Sequence, residues 1–255
     1  MTRSQIPTVW RMEHIDVTAD DRNRGWCVYC GGADETLDHV PSKVFLDSPH
    51  PDNPPAVPAC FACNNSFSKD EAYLAALVEC ALCGSVAAAC CRAKVGQLLQ
   101  HAPALAARLA SARYDRDGNI GFTPEADRVR TIIVKLARGH AAYEQSEPQL
   151  DVPTSVIYLP FTAMSSPERS AFETSREVGM QRWPELGSRA FHRAVLASEG
   201  QPHPDVGPGG WIVVQPGNYR YRVEFGGGCR VQIVLREYLA AEVVWNCFPD
   251  GRGQS

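Results

Sequence analysis

The spacing of apolar positions changes along this chain, and each change marks an element. Residues 1–25 are polar and charged and read as an extended arm. Residues 26–66 are dominated by Cys, Gly, Pro, Asp and Asn, with too few apolar positions to build a conventional core. From Tyr73 to about Leu99 the sequence is rich in Ala, Leu and Val, which predicts a long helix with Gly84 or Gly96 as its breaking point. Ser68, with Glu71 three residues later, has capping-box spacing and predicts the start of that helix. Pro103 opens a short helix to Arg113, and Asp115–Asn119 reads as a turn. Between Pro124 and Glu144, Val129, Ile132, Ile133, Leu136 and Ala137 recur at helical spacing and predict a second long helix with one buried face. Thr154–Leu159 predicts a strand, and the mostly polar residues 165–200 leave room for one or two helices. The end of the chain alternates β-rich runs with turn residues. Trp211–Gln215, Tyr219–Phe225, Arg230–Leu235 and Ala241–Trp245 predict an antiparallel meander, with Pro216-Gly217-Asn218 and Gly226-Gly227-Gly228 as turns.

Composition narrows the class. The 255 residues are 44% hydrophobic and 21% charged, which excludes a disordered chain, a collagen and a coiled coil. No stretch approaches the ~18 apolar residues of a membrane span. The first residues lack an apolar core and a cleavage site, so a cytoplasmic location is expected. The net charge of −4 excludes a globally basic footprint, and residues 1–80 carry 6 basic against 12 acidic side chains. Any nucleic-acid surface must therefore be local.

Ten cysteines are many for a cytoplasmic chain, where disulfides are disfavoured and spaced pairs read as metal ligands. Cys27-Val-Tyr-Cys30 and Cys60-Phe-Ala-Cys63 are two C-x-x-C knuckles. Two such knuckles can close a tetrahedral thiolate cage around Zn²⁺, which would hold together a segment with little core of its own. Between them lies Asp38-His39-Val40-Pro41-Ser42-Lys43, and directly after Cys63 come Asn64 and Asn65.

This arrangement over residues 26–73, C-x-x-C … D-H-V-P-x-K … C-x-x-C-N, resembles the HNH endonucleases in their zinc-bracketed ββα-metal form. A looser resemblance, through Val57-Pro58-Ala59-Cys60, Asp70-Glu71-x-Tyr73 and Ile133–Gly139, extends to a group of bacterial HNH proteins of similar length. The resemblance implies metal-dependent hydrolysis of phosphodiester bonds, with DNA the first expectation and RNA an alternative. His39 is the expected general base, since a neutral imidazole accepts a proton near pH 7. Asp38 and Asn64 offer hard oxygen ligands to a catalytic Mg²⁺ or Mn²⁺. Adjacent residues on a strand face opposite ways, and the resemblance implies that Asp38 faces the metal and His39 the water. Asn64 stands where many family members carry His, and keeps an oxygen ligand; a one-residue shift would bring in Asn65. Asn53 is the nearest asparagine to brace the His39 loop. Lys43 is a candidate phosphate contact, against a solvated loop lysine, and Lys69 has the same two readings. Glu71 could reach the metal, though helix capping is its simpler role.

The fold class expected is therefore α+β. An N-terminal arm (1–25) precedes a zinc-stabilised ββα-metal module (26–75), and an α+β region (76–255) follows, helix-rich first and ending in the meander. The competing function is a zinc-dependent nucleic-acid-binding or structural module without catalysis. A homodimer or a partner protein is compatible with either. Cys80, Cys83, Cys90, Cys91, Cys229 and Cys247 read as core residues, although the first four could form a second metal site. His14, His50, His101, His140, His192 and His203 lack a motif and read mostly as surface or loop residues. Tyr219-Arg220-Tyr221-Arg222 could meet bases or phosphates, with a half-buried strand and a solvated arginine face as the default. Arg128, Arg130, Lys135 and Arg138 could track a phosphate backbone, with a solvated helix face as the default.

Overall fold

A computed structural model describes residues 24–52, 54–87, 91–175, 184–198, 206–225 and 228–246. Of the N-terminal arm only residues 24–25 are described, and Asn53, Cys90, Cys247, His14 and His203 lie outside the described residues.

The chain is α+β, as expected. Strands β1 (Thr36–His39) and β2 (Ala56–Ala59) pair antiparallel, with Asp38 opposite Val57 and His39 opposite Ala56. Helix α1 (Phe61–Cys83) follows at once. Its N-cap is Cys60, whose sulfur accepts the Cys63 N–H, and not Ser68. Ser68 lies inside the helix and donates to the Asn65 carbonyl. Helix α1 therefore starts eight residues earlier than the capping-box pattern predicts, and it runs through the 75/76 boundary. It ends at Gly84, which adopts a left-handed φ of 66° as its C-cap.

Helices α2 (Ala93–His101) and α3 (Pro103–Ala112) follow. The turn expected at 115–119 is the tip of an exposed hairpin, β3 (Arg113–Arg116) with β4 (Asn119–Phe122). Asp117 and Gly118 both take positive φ there, the mark of a type I′ turn. Helix α4 (Ala126–Gln145) buries Val129, Ile132, Ile133, Leu136 and Ala137, the face read from the sequence. After β5 (Ser155–Pro160) come α5 (Ser166–Glu173), with a Ser165/Glu168 capping box, and α6 (Arg189–Ser198). Strands β6 (Ile212–Gln215), β7 (Tyr219–Phe225), β8 (Gly228–Leu235) and β9 (Leu239–Asn246) form the meander. Strand β5 joins it, giving a five-stranded antiparallel sheet in the order β5-β9-β8-β7-β6.

Helix α4 is the hub. It packs between the β1–β2–α1 unit and one face of the sheet, and one apolar core runs through all three. Gly139 lets α4 approach the loop after β1, since a Cβ there would lie 2.5 Å from Val40 Cγ2. The other sheet face carries a second cluster of Phe161, Phe172, Trp211, Val234 and Ala240.

Both faces of β7 are therefore covered, and the four-residue Tyr/Arg run is not a nucleic-acid surface. Tyr219 and Tyr221 are buried against α4, where His140 Nε2 lies 2.7 Å from the Tyr219 hydroxyl and the His140 ring stacks on Tyr221. Arg220 is held by both carboxylate oxygens of Glu173 and by Glu237. Arg222 is buried and donates to Gln232 and to the carbonyls of Phe172, Glu173, Thr174 and Gly209.

His140 is a core residue, not the surface residue expected. Burial, and secondarily the Lys135 charge, hold its pKa well below the ordinary histidine value. Tyr219, Tyr221 and, one turn along α4, Glu144 surround it. Below about pH 6.5 the unfolded chain takes up a proton at this site that the native state refuses, so stability falls with pH by up to about 1.4 kcal/mol per unit. Urea midpoints measured from pH 7 to 5 should drop for the wild type and drop less for His140→Phe. Equal slopes for the two proteins would contradict the assignment.

Candidate metal centre and the Asp38–His39 strand

The first knuckle is a tight turn in which Gly31 N–H returns to the Cys27 carbonyl (2.8 Å) and Gly31 takes a left-handed φ of 73°. Val28 N–H bonds the Pro58 carbonyl (3.0 Å), which fixes this knuckle against β2 and hence against the second one. The outcome is a single cluster, with the sulfurs of Cys27, Cys30, Cys60 and Cys63 all within 4.8 Å of one another. The Cys30 and Cys60 sulfurs are 3.8 Å apart. A tetrahedral site with sulfurs about 2.3 Å from the ion has edges of about 3.8 Å. The four thiols can therefore hold a metal ion, and thiolate donors at this spacing suit Zn²⁺. Burial and the neighbouring sulfurs push the Cys63 thiol up, while the Cys63 N–H pulls Cys60 down. A cation at the centre would convert this crowding of like groups into attraction.

Strand β1 splits Asp38 and His39 as strand geometry requires. His39 is half-buried, and its Nδ1 is enclosed without a hydrogen-bond partner among the described residues. The Pro55 carbonyl favours the protonated imidazole and also accepts the Val40 N–H (2.8 Å). Burial first, then the charge of Lys43, lower the His39 pKa, against an opposing pull from Asp38. The imidazole is accordingly neutral at pH 7. Lys43 is exposed, in the short 3-10 turn Lys43–Phe45 after the strand.

Asp38 points the other way, into the protein. Its Oδ2 accepts the Tyr29 hydroxyl (2.7 Å) and sits 2.6 Å from the Lys135 ammonium. Lys135 also donates to Glu71 Oε1 (2.7 Å) and Ser42 Oγ (3.1 Å), and the Ser42 hydroxyl donates to Glu71. Glu71 is thus neither a helix cap nor an exposed carboxylate. Asn64, in the first turn of α1, turns its amide nitrogen to the Leu37 carbonyl (3.5 Å). Asn65 and Lys69 are exposed.

Asp38, expected to ligate a catalytic divalent ion, does not fit that role here. Mg²⁺ needs oxygens at about 2.1 Å and keeps several waters. Asp38 is buried, and its oxygen is already shared by an ammonium and a phenol. No reaction step is therefore assigned to such an ion. Tyr29, Ser42 and Lys135 belong to this site and were not read as such from sequence. Lys135 carried a usable signal, since it falls within the buried stripe of α4, between Ile132 and Leu136, where a lysine needs a carboxylate partner.

The remaining basic residues of α4 are also engaged. Arg128 pairs with Asp70 (2.5 Å) and covers the Tyr73 ring. Arg138 donates to the carbonyls of Tyr29, Leu150 and Asp151. Only Arg130 faces outward with no partner among the described residues, so α4 does not present a phosphate-tracking row. Of the other cysteines, Cys80 and Cys229 are buried as expected, and Cys83 and Cys91 bring their sulfurs to 3.7 Å. No helix among the described residues is long and apolar enough to cross a membrane. Comparison with protein-family models, with curated proteins and with solved structures finds no match to this chain.

Proposed function

We propose that the chain is a phosphodiester hydrolase of the zinc-bracketed HNH kind, acting on nucleic acid, with DNA the first substrate class to test. The observation that carries this reading is the order and placement of the parts. Two cysteine knuckles converge on one cluster, and the β1–β2–α1 unit between and after them presents His39 on a strand whose neighbour faces the opposite way. Zn²⁺ at the four cysteines is structural in this reading. It fixes the first turn of α1 and the β1–β2 pair, and so the position of His39.

His39 is the general base. Its lowered pKa keeps the imidazole unprotonated at neutral pH, ready to take a proton from water. Lys43 lies close enough to depress that pKa electrostatically, and is placed to meet a phosphate oxygen beside the base. The engagement of Asp38 by Lys135 favours a second reading, a nucleic-acid-binding module that does not cleave.

The test is supercoiled plasmid incubated with the zinc-loaded chain, with and without added Mg²⁺ or Mn²⁺, beside His39→Ala. Wild-type nicking reduced about 10²–10⁴-fold in His39→Ala, at equal zinc content, is the expected result. The rate should rise with pH through a midpoint below about 6.5. No cleavage by either protein, with DNA still retarded in a gel, supports the binding module. Equal cleavage by both removes His39 from the mechanism.

A further inference from the structure

The interior of the HNH-like unit contains a place where oxygens converge on a cation, and that cation belongs to the chain. Asp38 Oδ2, Glu71 Oε1 and Ser42 Oγ lie 2.6, 2.7 and 3.1 Å from Lys135 Nζ. Three acceptors saturate the three N–H donors of an ammonium. The distances are those of charge-assisted hydrogen bonds, not of metal coordination, which for Mg²⁺ requires about 2.1 Å. The rings of Tyr29 and Phe67 flank the nitrogen, with centroids at 5.6 and 5.8 Å. The Lys135 side chain is 1% exposed and that of Asp38 9%. A hydrated divalent ion has no room among these groups. The charge left by two carboxylates on one ammonium is dispersed by the Tyr29 hydroxyl on Asp38 and the Ser42 hydroxyl on Glu71.

We infer that Asp38, Glu71 and Ser42 form an internal cation site whose resident ion is the Lys135 ammonium, delivered by α4, and that the chain takes no divalent cation there. Lys135 is a positioning residue. It sets Asp38, and through β1 the adjacent His39, without reaching substrate. The inference concerns the same strand as the hydrolase reading, and its test reads ion binding, so failure of that reading leaves it standing.

Mn²⁺ would be titrated into the zinc-loaded full chain and the free ion followed by electron paramagnetic resonance. Wild type should show no site that Asp38→Asn abolishes. Lys135→Ala should gain one Mn²⁺ per chain, lost again when Glu71→Gln is added. A merely structural lysine would not produce this gain. A wild-type Mn²⁺ site removed by Asp38→Asn overturns the inference, and so does a folded Lys135→Ala that binds none. Should Lys135→Ala fail to fold, wild type alone decides. The Lys135 ammonium resonance, protected from solvent exchange, should persist unshifted in millimolar Mg²⁺, and its displacement would overturn the inference.

Discussion

Replacing Cys63 by serine will abolish stoichiometric zinc binding and unfold the segment from the first knuckle to the first turns of α1. Beyond what α1 and α4 lend it, the segment from Cys27 to Cys60 buries few apolar side chains, chiefly Val28, Tyr29, Val40, Phe45, Leu46 and Val57. Its two strands are four residues each. Structural zinc in comparable small modules contributes roughly 10–16 kcal/mol at pH 7, which matches or exceeds the roughly 5–15 kcal/mol that holds a whole domain folded. Loss of one thiolate should therefore remove amide-exchange protection from β1, β2 and the first turns of α1. Strands β7, β8 and β9 should keep most of theirs, because their ladders and the second core cluster do not pass through the cysteines. Exchange mass spectrometry with metal analysis measures both halves of this expectation. Undiminished protection of β1 and β2 in a zinc-free Cys63→Ser protein would show that apolar packing suffices.

The second large effect is expected from Lys135→Met. The substitution nearly preserves volume, so it tests charge and not packing. It leaves Asp38 and Glu71 buried, facing each other without their shared ammonium. Removing one partner of a buried ion pair costs about 3–5 kcal/mol, because the uncompensated charge remains. Denaturant midpoints at neutral pH should fall accordingly. The double replacement Asp38→Asn with Lys135→Met removes one charge of each sign and should recover part of the loss. A Lys135→Met protein within about 0.5 kcal/mol of wild type would behave like a surface substitution and contradict the burial of this network.

What the sequence disclosed depended on whether the deciding contact was local. The cysteine cluster was legible because C-x-x-C spacing is itself the geometry of a knuckle. The buried face of α4 was legible because its apolar period is set within one helix. Glu71 was misread because Ser68-x-x-Glu71 is a valid local pattern, whereas its true partner, Lys135, is 64 residues away. Cys60 took the N-cap because the second knuckle and the helix start are one turn of chain. The Tyr219–Arg222 alternation correctly separates two faces, but nothing in it says that both are covered, by α4 and by the α5–Trp211 side. The hairpin β3–β4 is exposed and carries no apolar alternation, and only Asp117-Gly118 announced it. For Asp38 the resemblance supplied a role, and the structure supplied neighbours that leave little space for it.

The loop between β1 and β2 is tied down far from either strand. Asp47 accepts from Arg92 and Asn218, and its backbone N–H donates to Gln215, so the shape of this loop is set by residues at the other end of the chain. Add that α1 continues past residue 75 and that Val40 fits a notch made by Gly139, and the unit has no seam at which it could be cut. It is therefore not a portable cassette. A recombination event, or an engineer, that moved residues 26–75 onto another body would transfer the cysteines but leave behind Lys135, Gly139 and the anchors of Asp47. The unit and its scaffold have to be inherited, and redesigned, together.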